Sequence, residues 1–174
     1  MVLKEVATYL IRRAERRIGV TLDYVHRIAR TDIKLLTRYN RLFGFLDPRN
    51  HTPPLAYHAA RLRGALAADC GTCVEAEINL ARKAGIDMQQ IDHLLAADYA
   101  QLPAEVAAVA TLADAVTLHR MDDPDARAVV QDAYGDAGLI ELSFAMNGAT
   151  LLPGIKRAMG HATACDLTLL RKKA

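Results

Sequence analysis

Apolar residues recur along this chain at helical spacing almost everywhere, and no run alternates apolar and polar residues as a half-buried strand does. That pattern restricts the chain to an all-α fold, with helices burying apolar stripes against one another. The 174 residues suit one globular domain. Hydrophobic residues make up 52%, and the excess is Ala and Leu, which favours helices packed closely through small side chains.

The punctuation of the pattern divides the chain. Leu3, Val6, Leu10, Ala14 and Ile18 form one apolar stripe, closed by Gly19. A second helix is expected from about Leu22 to Phe43, with Tyr24, Ile28, Leu35 and Leu42 among its apolar positions. Gly44 and the stretch from Asp47 to Pro54 form a turn-rich break, too short for an interdomain linker. Residues 1–46 are therefore expected as an N-terminal helical extension packing on a core of residues 47–174. In that core one helix runs from Leu55 to Ala68. Asp69 reads as the N-cap of the next, which Gly85 ends. Asp87, Pro103 and the Asp122–Asp125 cluster start further helices, the last ending near Gly135. Asp136 starts the final long segment, which Pro153 is expected to break or kink. The terminal lysines read as a frayed tail.

No apolar run approaches the ~20 residues of a membrane span, and the N-terminal segment lacks the pattern of a signal peptide. A cytoplasmic chain without a membrane partner is expected. The net charge of +2 is unevenly spread: residues 1–50 hold 11 Lys and Arg against 5 Asp and Glu. Such a basic third suits a solvated helix face or a subunit contact, or an anionic partner. No nucleic-acid motif is present and aromatics for base stacking are few, so no nucleic-acid role is expected.

The chemistry concentrates in Asp69-Cys-Gly-Thr-Cys73. With Asp69 as cap, Cys70 and Cys73 fall in the first turn of a helix, where N–H groups and the helix dipole stabilise a thiolate. Two thiols at this spacing approach disulfide distance, as thiol redox chemistry requires. Three cysteines without a signal peptide argue against a secreted disulfide framework. Half of a zinc site remains an alternative, completed by His58, His161 or Cys165, as does a pair of small buried hydrophobes. Cys165 and His161, four apart on an expected C-terminal helix, have no tie to the pair, and Cys165 reads as buried. Glu77, one turn after Cys73 on the same face, is a candidate acceptor for a thiol proton, or an ordinary solvent-facing Glu at the margin of the apolar side. His58, on the preceding helix, is a candidate general base or a satisfied core residue. Tyr57 beside it is a candidate hydrogen-bond donor or a packing residue.

The stretch from Leu55 through the Cys-x-x-Cys to Ala81-Arg-Lys-Ala-Gly85 resembles the core of the AhpD-like alkylhydroperoxidase / carboxymuconolactone decarboxylase family. The Ala-rich helix from Pro103 to Asp114 and the segment from Gly135 to Asn147 are similar to later parts of that family. The likeness spans roughly residues 50–150. It implies an AhpD-like helical bundle with an added N-terminal helical pair. It implies a thiol-dependent peroxidase or disulfide oxidoreductase acting on organic hydroperoxides, with no cofactor and no resident metal. By resemblance Cys73 attacks the peroxide, Cys70 resolves the sulfenic acid, and a thiol or dithiol reductant restores the pair. Family members form trimers, hexamers or related rings, which implies a homo-oligomer. Family peroxidases carry a Glu twelve residues before the first Cys and a His four after the second; here the two types are exchanged, as His58 and Glu77. The expectation is that these two face each other across the helices as an acid–base pair. The other classes in view are a non-redox decarboxylase-like enzyme on the same fold and a non-catalytic oligomeric binding module.

Overall fold

The computed structural model describes residues 2–46 and 49–166. The fold is all-α, and among the described residues no strand occurs. The helices are α1 (Val2–Ile18), α2 (Asp23–Thr31), α3 (Ile33–Leu46), α4 (Pro54–Ala67), α5 (Gly71–Lys83), α6 (Met88–Ala96), α7 (Ala104–Asp114) and α8 (Pro124–Ala158). No helix among the described residues is long and apolar enough to cross a membrane.

Helix α4 is the centre of the molecule. Pro53 caps it in extended conformation, and Pro54 opens it where a missing N–H costs nothing. Ala56, Ala59, Ala60, Leu62, Gly64 and Ala65 are buried around its circumference. Small residues let its neighbours approach closely: a Cβ on Gly64 would lie 2.2 Å from the Met146 carbonyl oxygen of α8. The main core joins α4–α8, and Leu62, Ile91, Leu94, Leu142 and Met146 are its largest fully buried side chains. Each contributes about 1.5–3 kcal/mol by leaving water.

Two buried arginines on α4 are exceptions to its apolar surface. Arg63 forms a two-pronged pair with Asp114 of α7, at 2.7 and 2.9 Å, and donates to the Leu94 carbonyl of α6. Its guanidinium lies over the Tyr99 ring, whose hydroxyl also donates to Asp114. Arg61 is described with the site. Glu141 of α8 is buried likewise, and accepts N–H bonds from Asn50, His51 and Thr52 and the Thr52 hydroxyl. It thereby fixes the loop that leads into α4.

Helices α1–α3 have their own small core of Ala7, Ile11, Tyr24, Val25, Ala29, Leu36 and Tyr39, with Leu152 and Met159 of the α8 end packed against it. The expected α1 stripe differs here. Leu3, Val6 and Leu10 are exposed at 72%, 49% and 53%, and Ala7 and Ile11 carry the buried face. The expected single helix from 22 to 43 is two, parted at Asp32. Asp32 is extended, and its carboxylate accepts the Lys34 N–H at 2.8 Å, offering the backbone a local alternative to helix. Helix α3 then runs on through Gly44 to Leu46.

In the second half, Asp87 and Asp123 cap α6 and α8 through their side chains, as their placement predicts. Gly135, at φ +68°, kinks α8 where a helix end was expected. Pro153 does not break the helix, which continues through it to Ala158. Asp47, at the expected boundary, and the terminal lysines lie outside the described residues.

Candidate functional site

The turn between α4 and α5 places the two cysteines. Asp69 was expected as the cap of α5, but it ends α4 instead. Its backbone is left-handed, at φ +47°, and its N–H closes on the Leu66 carbonyl. Asp tolerates that conformation better than most residues. The cap position of α5 therefore falls to Cys70, which is extended, and the helix begins at Gly71. Cys70 is wholly buried. Cys73, in the first helical turn, is half-buried. Both are free thiols, and their sulfurs lie 2.7 Å apart.

Residues 161–166 carry no regular structure and lie over the start of α5. Gly71 N–H donates to the Thr163 carbonyl at 3.1 Å, and Cys165 N–H donates to the Asp69 carboxylate at 3.1 Å. A side chain at Gly71 would meet the Ala164 carbonyl oxygen at 2.7 Å, so Gly71 allows the segment to lie flat. Arg157 donates to the carbonyls of Ala68 and Asp69, closing the open end of α4. His161 and Cys165 are thus not on a helix, and Cys165 is tied to the cysteine turn through the Asp69 carboxylate. Cys165 is half-buried. Burial, then the charges of Asp69, Cys70 and Asp166, push its thiol upward.

The pair shares one proton unequally. The Cys73 thiol pulls Cys70 down to about 6, against the cost of burial, with the backbone at Cys73 and Thr163 and the Lys156 ammonium adding to the effect. The Cys70 sulfur makes no regular capping bond, so the neighbouring thiol, not the helix cap, is its principal partner. Cys73 is held upward by its bond to Cys70, by burial, and by the charges of Cys70 and Glu77. The first proton leaves easily and the second is retained, because two negative sulfurs 2.7 Å apart would repel strongly.

Glu77 is buried on α5, contrary to the expected margin position. Its carboxylate meets Arg61 rather than His58: Arg61 Nε and Nη2 donate to its two oxygens at 2.8 and 2.7 Å. Arg61 also donates to the Tyr57 hydroxyl at 3.3 Å and lies over that ring. Burial opposes the Arg61 charge, and Glu77 more than offsets it. Both Glu77 oxygens thus accept from the guanidinium. His58 is half-buried, one turn before Arg61, with its ring edge-to-face against Tyr57.

Cys73, Glu77 and His58 nevertheless share a wall. They line a cavity of about 920 Å³ between α1–α3 and the helices α4, α5 and α8. The far wall is aliphatic, from α1, α2 and α3, and Tyr24 and Tyr39 stand in it with their hydroxyls 2.5 Å apart. Burial, eased by its bond to Tyr39, raises Tyr24 to about 12. Lys156 of α8 also lines the cavity. It is 6% exposed and stacks over the Tyr24 ring at 5.9 Å.

Arg61, Lys156 and the tyrosine pair were not anticipated from sequence. Arg61 carried a signal, as a charge in a helix apolar on all sides. Lys156 carried none. Among the described residues no group of three or more His, Cys, Asp or Glu side chains is placed to hold a metal ion. No family model matches the chain, and no curated protein or solved structure is significantly similar to it.

Proposed function

We propose that this chain is a thiol-dependent hydroperoxide reductase of the AhpD-like kind, working through Cys70 and Cys73. The observation that carries the reading is a pair of free thiols 2.7 Å apart, one buried and readily ionised, the other opening into a cavity. Charge favours Cys70 and access favours Cys73. A proton crossing the short S···S contact reconciles them, leaving the thiolate on Cys73.

That thiolate attacks the terminal oxygen of the hydroperoxide. The S–O bond forms, the O–O bond breaks, and the departing alkoxide takes a proton and leaves as the alcohol. The Cys70 thiol then displaces water from the Cys73 sulfenic acid, and the S–S bond forms. A thiol or dithiol reductant returns two electrons and two protons. In this reading His58 is the acid–base group on the cavity wall. Glu77 acts through its charge on Cys73 and is held by Arg61. The same reading makes the protein a cytoplasmic homo-oligomer, a trimer or hexamer. Exposed Ile140 and Leu151 on α8 support contact between copies.

The test is differential alkylation and mass spectrometry on reduced protein treated with one equivalent of an organic hydroperoxide. The expected product is a Cys70–Cys73 disulfide with Cys165 still free. Two free thiols after treatment would refute the proposal.

A further inference from the structure

We infer that the cavity between α1–α3 and the core binds a single-chain anionic amphiphile, a fatty carboxylate with its head at Lys156, and binds it more tightly when the cysteine pair is oxidised. The inference rests on the redox reading of the pair only in needing the disulfide to form. Two independent features lead to it. The first is the cavity: about 920 Å³, within the roughly 300–1,000 Å³ usual for small-molecule sites, with an aliphatic side that includes Ile11, Val25, Leu36 and Leu80. That side suits an alkyl chain.

The second is Lys156. It is 94% buried, lines the cavity, and has an aromatic ring as its neighbour; among the described residues no carboxylate pairs with it. A buried cation without an anion is expensive to maintain. Glu77, on the same cavity wall, is paired with Arg61 instead. Lys156 and Cys73 line the same cavity, and the ammonium helps to stabilise negative charge on the cysteine pair. Arg17, Arg49 and Lys83 also line the cavity, but they are exposed and already solvated, so a carboxylate gains little from them.

Oxidation changes this balance. A small-molecule disulfide takes two electrons from the pair. Cys70 and Cys73 join through an S–S bond, and the oxidant leaves as one thiol and one thiolate. The protein thereby loses its sulfur charge, and among the described residues no carboxylate pairs with Lys156 in its place. A carboxylate entering there replaces it, and by linkage the bound carboxylate favours the disulfide to the same degree.

The probe is 11-(dansylamino)undecanoate, titrated by fluorescence into fully reduced protein and into protein oxidised with a small-molecule disulfide. The expected result is at least about tenfold tighter binding to the oxidised form. The methyl ester of the probe should bind both forms equally. Lys156→Met should abolish the difference, and Lys156→Arg should restore it. Equal affinity in the two forms, or a difference that survives in the ester or in Lys156→Met, would overturn the inference while leaving the redox reading intact. Failure of the Cys70–Cys73 disulfide to form, read by mass spectrometry on the same samples, would overturn both.

Discussion

Breaking the Arg61–Glu77 pair from either side should destabilise the fold more than deleting it altogether. The two side chains are 7% and 9% exposed, so solvent screens them little and the usual discount for surface pairs does not apply. Glu77→Gln keeps the shape but takes from a buried guanidinium the carboxylate charge it is paired with. Arg61→Met leaves a buried carboxylate. Each should cost about 3–5 kcal/mol. At roughly 2–4 °C per kcal/mol for a chain of this size, that lowers Tm on the order of 10 °C. The double variant Arg61→Met/Glu77→Leu removes both charges and fills the space, and should recover most of the loss. Urea unfolding of the wild type, both single variants and the double variant gives the coupling directly. Single variants within 1 kcal/mol of wild type would refute the argument, as would a double variant whose loss is the sum of the two.

Three other outcomes follow from the packing and the charges. In wild type, thiolate absorbance at 240 nm should rise with a first midpoint near 6, as the Cys70–Cys73 pair loses one proton; Cys73→Ala removes the hydrogen-bonding thiol, so the midpoint should move up toward about 8.5, and an unchanged midpoint would disprove the shared proton. Burial works against the Glu141 charge, but bonds from Asn50, Thr52 and His51 hold it below the usual range, so its contribution to stability is present above the unfolded value of about 4.3 and is lost as pH falls through the folded value. Denaturation at stepped pH should therefore show wild type and Glu141→Gln converging in acid, and a constant gap would refute this. Gly64→Ala places a Cβ 2.2 Å from a backbone oxygen, which no side-chain motion relieves, and should cost at least about 1–3 kcal/mol in urea unfolding; a neutral effect would mean that α4 and α8 are less closely packed.

Helical periodicity made the all-α class legible, but where two demands fell on one residue the pattern was ambiguous. Asp69 stands between two helices, and the same residue type can cap the second or end the first. The outcome was decided by α4, which needs a left-handed residue to turn, and Asp accepts φ +47° at less cost than Cys70 would. Asp32 shows the opposite error. It lies inside a pattern that reads as continuous helix, but its carboxylate holds the Lys34 N–H and opens the chain. On α1 the periodicity was right and the phase was wrong. Leu3, Val6 and Leu10 look like a buried stripe, whereas Ala7 and Ile11 meet the neighbouring helices and the leucines edge the cavity.

The site was legible to the extent that spacing fixes it. A spacing of three positions from Cys70 to Cys73 at a helix start brings the sulfurs together, whichever of them caps the helix. Spacing also put Cys73 and Glu77 on one face, and both line the cavity. It did not identify Glu77's partner, because periodicity gives a face and not a depth. His58 and Arg61 lie one turn apart on α4, and either can turn toward α5. Depth decides between them. A buried carboxylate is stabilised best by a charge that fills both its oxygens, which a guanidinium does and an imidazole does not. The clue was therefore the arginines, not the histidine. Arg61 and Arg63 sit in a helix lined on all sides by Ala, Leu and Gly, and a helix of that composition is buried. Two arginines carried into such a core each require an acid from a neighbouring helix, and Glu77 and Asp114 supply them.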